Sequence, residues 1–117
     1  MLEYEVLDAC LKLLRDMFML QPGETIAITT DTMSNDEIVE ATAQAAVILG
    51  AKPLIFKIPA PEGAKAGDKD MPMKALIDGI KACDAWVEFN YKLIFYSTVY
   101  DKITEDPNNR PRYMNQN

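Results

Sequence analysis

The side chains best placed for chemistry form a short polar cluster, Thr30, Asp31 and Thr32, directly after an apolar segment at 25–29. The β-branched content of that segment predicts a strand buried on both faces. In open parallel sheets the carboxyl ends of strands face the ligand crevice. Asp31 either caps the following helix by accepting N–H bonds or positions a substrate amine or a metal-bound water. The sequence leaves both interpretations of Asp31 open.

Asn90 and Tyr91 directly follow another predicted strand, Ala85–Phe89. Because the carboxyl ends of parallel strands lie at the same edge of a sheet, this pair is expected beside the first polar cluster. The two residues are candidates for lining a cleft there, with simple loop packing as the alternative. The cleft-lining candidates are therefore Thr30, Asp31, Thr32, Asn90 and Tyr91.

The residue types that usually carry catalysis are scarce. Histidine is absent, which removes the commonest acid–base group near neutral pH and the commonest zinc ligand. The turn Asp31–Ser34 has no glycine to bring backbone close to a pyrophosphate. The acidic run Asp68–Asp70 lacks a third fixed ligand, Ser97 has no histidine to activate it, and Cys10 and Cys83 have no zinc spacing. The sequence thus assigns this chain no catalytic residue, no metal ligand and no cofactor.

Composition and charge limit the class of protein. At 117 residues, 49% of them hydrophobic and 26% charged, the chain is expected to form one α/β domain over 1–117. Its net charge of −6 argues against a nucleic-acid partner. The amino terminus lacks a signal peptide, and no apolar run approaches the ~20 residues that span a bilayer. We therefore predict a cytoplasmic protein with no membrane partner.

Hydrophobic periodicity and turn residues predict alternating helices and strands. The predicted elements are a helix over 3–18, a strand over 24–30, a helix that begins at a capping box (Ser34–Glu37) and ends at Gly50, a strand over 54–58 opened by Pro53, a helix over 72–82, and the strand over 85–89. The strands begin roughly 30 residues apart, as in successive right-handed βαβ crossovers. The pattern predicts a three-layer, Rossmann-like open parallel sheet with helices on both faces.

The end of the sequence is less regular. A loop over 59–71 and a short helix over 98–105 are predicted, and residues 112–115 have the character of a fourth strand. Because the chain stops where this strand begins, the sheet is expected to be truncated there. The chain is thus expected to be an amino-terminal domain or fragment of a longer enzyme.

Two motifs support a family resemblance. Pro22-Gly23-Glu24-x-Ile26-x-Ile28-x-Thr30-Asp31, an alanine-rich helix and Gly50-Ala51-x-Pro53 resemble the amino-terminal domain of the aminopeptidase T family, metallo-aminopeptidases often called leucyl aminopeptidases. The resemblance covers about residues 1–115. It implies a longer, oligomeric enzyme whose carboxy-terminal domain holds divalent metal ions (zinc, cobalt or iron) that activate water. The resemblance thus implies that this chain is a metal-free part of a peptidase and is inactive alone. Its partners are then that domain and further copies of itself.

Two alternatives remain beside the peptidase hypothesis. Dihydroxypyridine dioxygenases, which open the ring with non-haem iron, look similar in the same region, and fold alone does not settle the reaction. A free-standing binding or assembly module is the third hypothesis, for which the absence of histidine is natural. A reading frame that continues downstream and encodes pairs of Glu and His metal ligands would favour the two enzyme hypotheses over the binding module.

Overall fold

The computed structural model describes residues 4–58, 73–89, 103–105 and 111–115. Its elements are α1 (Tyr4–Lys12), which continues into a π-helical turn (Leu13–Met17), β1 (Thr25–Asp31), α2 (Asp36–Ile48), β2 (Lys52–Ile58), α3 (Met73–Lys81), β3 (Ala85–Glu88) and β4 (Arg112–Asn115). Helices and strands therefore alternate as the sequence predicts. The predicted loop over 59–71 and most of the predicted helix over 98–105 lie outside the described residues.

The four described strands form one open sheet in the order β2-β1-β3-β4. All three strand pairs are parallel, and Thr29 of β1 lies between Phe56 of β2 and Glu88 of β3. The chain moves from β1 to one neighbour, β2, and then crosses to the other side of β1 for β3. This change of direction places a topological switch point between β1 and β3, where open α/β sheets bind ligands.

The helices cover both faces of the sheet, which confirms the predicted three-layer α/β fold. One core cluster lies under α1 and α2, and its largest members are Leu14, Phe18, Leu20, Ile26, Ile28, Val39, Val87 and Phe89. The other lies under α3 and contains Leu76, Ile80, Trp86 and Ile103. Alternate residues of β1 and β3 belong to different clusters because strand side chains alternate between faces. Within the described ranges, no helix combines the length and apolar character needed to span a bilayer.

The first helix differs from the continuous one predicted over 3–18. The backbone N–H of Phe18 donates to the carbonyl of Leu13 at 3.1 Å, a five-residue π-type bond. The helix then stops at Met19, whose φ of 53° is left-handed. This widened last turn brings Leu14, Phe18 and Leu20, all at most 5% exposed, into the core. Tertiary burial, which helical periodicity alone does not encode, explains the departure.

The second helix begins one residue later than the capping box predicts. Asn35 is its N-cap, and the Asn35 side chain accepts a bond from the Glu37 N–H at 2.8 Å. The prediction of Ser34 as the cap is therefore wrong, because the Ser34 hydroxyl is bonded elsewhere. At the other end Gly50 has a φ of 84°, which confirms the predicted left-handed terminator.

Strand β2 lies at the edge of the sheet and begins at Lys52, two residues before the predicted start at Leu54. The N–H of Lys52 donates to the carbonyl of Glu24 at 2.8 Å, so the nitrogen of Pro53 points away from β1. A proline is tolerated there because the outward position needs no ladder bond. The predicted fourth strand is also confirmed, as β4 pairs with β3 from Arg112 onward.

At the amino edge of the sheet, Glu24 joins distant parts of the chain. Its Oε1 atom accepts hydrogen bonds from the N–H of Gln21 at 2.8 Å and from Nη2 of Arg112 at 2.7 Å. Burial alone raises the pKa of Glu24, but the Arg112 and Gln21 hydrogen bonds and the charge of Arg112 outweigh it. The pKa of Glu24 in the folded protein is therefore lower than in the unfolded chain. Charged Glu24 thus stabilises the fold.

This depressed pKa predicts the pH dependence of a Glu24→Gln variant. The stabilisation is present above the unfolded pKa and is lost as the pH falls through the lower folded pKa. We expect the variant to be less stable by about 1 kcal/mol at neutral pH, with the difference closing at acid pH. Urea unfolding at a series of pH values measures it. An Asp8→Asn control, which removes an exposed ion pair to Lys12, should change little; a Glu24 difference that persists in acid would contradict the prediction.

Candidate functional site

The candidate site lies at the carboxyl edge of the two central strands. Asp31 is the last residue of β1, and Phe89 directly follows β3. The N–H of Phe89 donates to the carbonyl of Thr29 at 2.8 Å, which extends the strand pairing by one residue. The ends of β1 and β3 therefore meet at the switch point, as the positions of the two polar clusters in the sequence suggest.

A set of hydrogen bonds among Asp31, Ser34 and Phe89, named here the strand-end link, ties these ends together. Asp31 is fully buried, and its Oδ1 atom accepts a bond from the Met33 N–H at 3.0 Å. The Ser34 hydroxyl lies 2.9 Å from the same oxygen and also bonds to the Phe89 carbonyl. The single hydroxyl proton is shared between a carboxylate and a carbonyl from different strands. The link fixes the β1–α2 turn against β3.

The other predicted residues differ in exposure. Thr30 is 1% exposed, and its hydroxyl is a buried side-chain oxygen without a hydrogen-bond partner among the described residues. Thr32 is exposed, and its N–H donates to the carbonyl of Ile58 at 3.1 Å. Asn90 and Tyr91 lie outside the described residues, so their place at this edge stays a prediction. The described part of the edge thus combines buried Thr30 and Asp31 with exposed Thr32.

A second polar set lies on the face of the same strands that α3 covers. Trp86 Nε1 donates to the Thr29 hydroxyl at 2.9 Å, and the Tyr113 hydroxyl donates to Glu88 Oε1 at 2.6 Å. The Trp86 and Tyr113 rings also pack, with centroids 4.5 Å apart. Glu88 is fully buried, yet sequence reasoning missed it within an apolar strand. An acidic residue inside such a run was the available signal, since buried charges require partners.

The described residues do not fit a resident metal. Across 4–58, 73–89, 103–105 and 111–115, no three or more His, Cys, Asp or Glu side chains lie close enough together to hold an ion. Histidine is also absent from the whole sequence. The acidic run Asp68–Asp70 lies outside the described residues. We therefore assign no metal-dependent step to the described residues.

Comparison with known proteins gives a fold relative. No protein-family model and no curated protein matches the sequence. Among solved structures, the chain is similar to 2,5-dihydroxypyridine dioxygenase from Pseudomonas putida KT2440, with a TM-score of 0.59 and 21% sequence identity. The similarity covers 74% of this chain and 28% of the dioxygenase chain. The likeness establishes a shared fold, over less than a third of that enzyme's length.

This finding corrects the aminopeptidase T assignment. The solved structure compared above is a dioxygenase, so the peptidase family and its hydrolase activity are not supported. The motifs behind the assignment have structural roles here. Gly23 and Gly50 both have left-handed φ, and the N–H of Gly23 donates to the carbonyl of Gly50 at 2.9 Å. Such residues specify a strand–helix–strand unit, which enzymes of different chemistry share.

Proposed function

We propose that this chain is the α/β domain of a ring-cleaving dioxygenase of the dihydroxypyridine type, and one domain of a longer enzyme. The observation that carries the proposal is the shared fold with 2,5-dihydroxypyridine dioxygenase over 74% of this chain. The chain contains no histidine, so non-haem iron is assigned to the remainder of the enzyme. The proposed partners of the chain are that remainder and further copies of the chain. The proposed location of the enzyme is cytoplasmic.

Within that enzyme, the chain is proposed to form one wall of the substrate cleft. The strand-end link supports this role because it immobilises the β1–α2 turn through Asp31 and Ser34. Thr32 and Met33 are exposed beyond the link, where they can meet a substrate or another domain. A fixed wall orients a flat ring without itself exchanging protons or electrons. Asp31 acts here as a positioning residue for the turn.

The test is the activity of the natural gene product that contains this chain. An affinity tag added to the chromosomal gene allows purification of that product at its natural length. We expect it to consume dioxygen and 2,5-dihydroxypyridine in equal amounts when Fe(II) is present, and to leave leucine p-nitroanilide intact. If the purified gene product does not open the pyridine ring, the proposal is overturned and the binding-module hypothesis is favoured.

The isolated 117-residue chain is the matched control. With Fe(II), dioxygen and 2,5-dihydroxypyridine it is expected to give no ring opening, because its described residues offer no metal site. Absorbance of the pyridine ring and a dioxygen electrode report the two substrates independently. Catalytic turnover by the isolated chain would contradict the assignment of the iron to another part of the enzyme.

A further inference from the structure

A groove lies between α1 and α2, on the face of the sheet opposite α3. Its volume is about 720 Å³, within the range of sites that enclose small organic molecules. Its lining is mainly apolar and includes Val6, Cys10, Leu13, Ile38, Thr42 and Phe89. The groove adjoins the strand-end link, because Phe89 lines the groove and its carbonyl takes part in the link.

The π-helical turn shapes one wall of the groove. Leu13 and Met17 mark the two ends of this turn, and both line the groove. Met17 remains 65% exposed there, although it is a large apolar side chain. This turn is the last of the helix, which stops at Met19. Here the turn leaves apolar surface facing an open space.

The polar side chains of Thr42 and Cys10 in the groove are paired with each other. Thr42 donates its hydroxyl proton to the carbonyl of Ile38 at 2.8 Å, and Cys10 Sγ lies 3.5 Å from the same hydroxyl oxygen. Because the Thr42 hydroxyl proton is used in that bond, the Cys10 thiol donates to the Thr42 oxygen. Cys10, Met17 and Phe89 thus offer polarisable sulfur and an aromatic ring, and such groups favour aromatic ligands.

The charges around the rim discriminate against anions. Glu5, Lys12 and Asp16 line the groove, with Asp8 paired to Lys12 at 3.0 Å and Arg15 paired to Asp16 at 3.0 Å. The groove lining thus holds two acidic side chains and one basic side chain, a net charge of −1. The whole chain carries −6, so a carboxylate or phosphate ligand would be repelled.

We propose that the α1–α2 groove is a binding site for a neutral aromatic molecule of two or three rings. The volume sets the size of the ligand, the sulfur and aromatic lining favours its ring character, and the acidic rim excludes anionic lipids. The proposed site needs no metal, so probe binding tests it separately from the dioxygenase role.

Binding of N-phenyl-1-naphthylamine, a neutral aromatic probe, tests the groove in the 117-residue chain. We expect saturable fluorescence enhancement, and a loss of affinity of at least about tenfold in Ile38→Glu. Ile38 is 38% exposed and lies near the start of α2, where an acidic residue is tolerated. Ile48→Glu is the matched control, because Ile48 is exposed on the same helix but does not line this groove. Equal losses in both variants, or none in Ile38→Glu, would overturn the proposal.

Two further measurements use the unmodified chain, so they do not require that a variant folds. Cys10 and Cys83 are both 7% exposed, but Cys10 lines the groove whereas Cys83 lies under α3. Saturating probe should slow N-ethylmaleimide labelling of Cys10 about fivefold or more, with little change at Cys83, as measured by peptide mass spectrometry. Equal slowing of both thiols, or none at Cys10, would contradict the site. Displacement of the probe by laurate as readily as by 2-phenylnaphthalene would contradict the neutral aromatic class.

Discussion

Trp86→Ala is expected to lower the free energy of unfolding by about 4 kcal/mol. Trp86 is the largest of the fully buried side chains and lies in β3, in the interior of the sheet. Its ring packs on Tyr113, and its indole N–H donates to Thr29. The alanine variant loses this buried area, opens a cavity and leaves the Thr29 hydroxyl without that donor. Urea unfolding followed by circular dichroism measures the change.

Trp86→Phe separates packing from the hydrogen bond. Phenylalanine keeps much of the buried aromatic surface but removes the indole N–H to Thr29. We expect a cost of about 1–2 kcal/mol, clearly below that of alanine. If the two variants were equally unstable, the polar contact rather than the buried ring would dominate at this position. The loss of about 4 kcal/mol expected for Trp86→Ala is a large part of the free energy of unfolding of a typical domain, which is about 5–15 kcal/mol.

The order of elements followed from local signals in the sequence. A β-branched run predicted β1, and Gly50 predicted the end of α2, because strand propensity and left-handed caps depend on residues close in the chain. Two of the departures have non-local causes. Leu14, Phe18 and Leu20 enter the core through the π-helical turn, and Ser34 bonds to Phe89 instead of capping α2.

The candidate site was predicted as a location and not as a set of contacts. The position of Asp31 at the end of β1 followed from the general rule for parallel sheets. Its link through Ser34 to Phe89 spans 55 residues, and no local pattern encodes that pairing. The misassigned activity has a related cause. Gly23 and Gly50 shape a turn common to many α/β enzymes, so their spacing carries information about the backbone and little about the reaction.

Glu88→Ala is expected to lower the free energy of unfolding by about 3 kcal/mol, the second large effect. Glu88 is fully buried in β3 and accepts a hydrogen bond from Tyr113 of β4 at 2.6 Å. Alanine leaves a cavity and deprives the half-buried tyrosine hydroxyl of this acceptor. Glu88→Gln retains an acceptor oxygen and should cost less. Urea unfolding at neutral pH distinguishes the two variants.

A double-mutant cycle with Tyr113→Phe isolates the contact between β3 and β4. Each single change removes the hydrogen bond, so the double variant should be less destabilised than the sum by about 1–2 kcal/mol. Additive effects would show that Glu88 stabilises the fold through its other contacts instead. Because Trp86 packs on the same Tyr113 ring, a measured coupling would show that Tyr113 links β4 to β3 by a hydrogen bond as well as by ring packing.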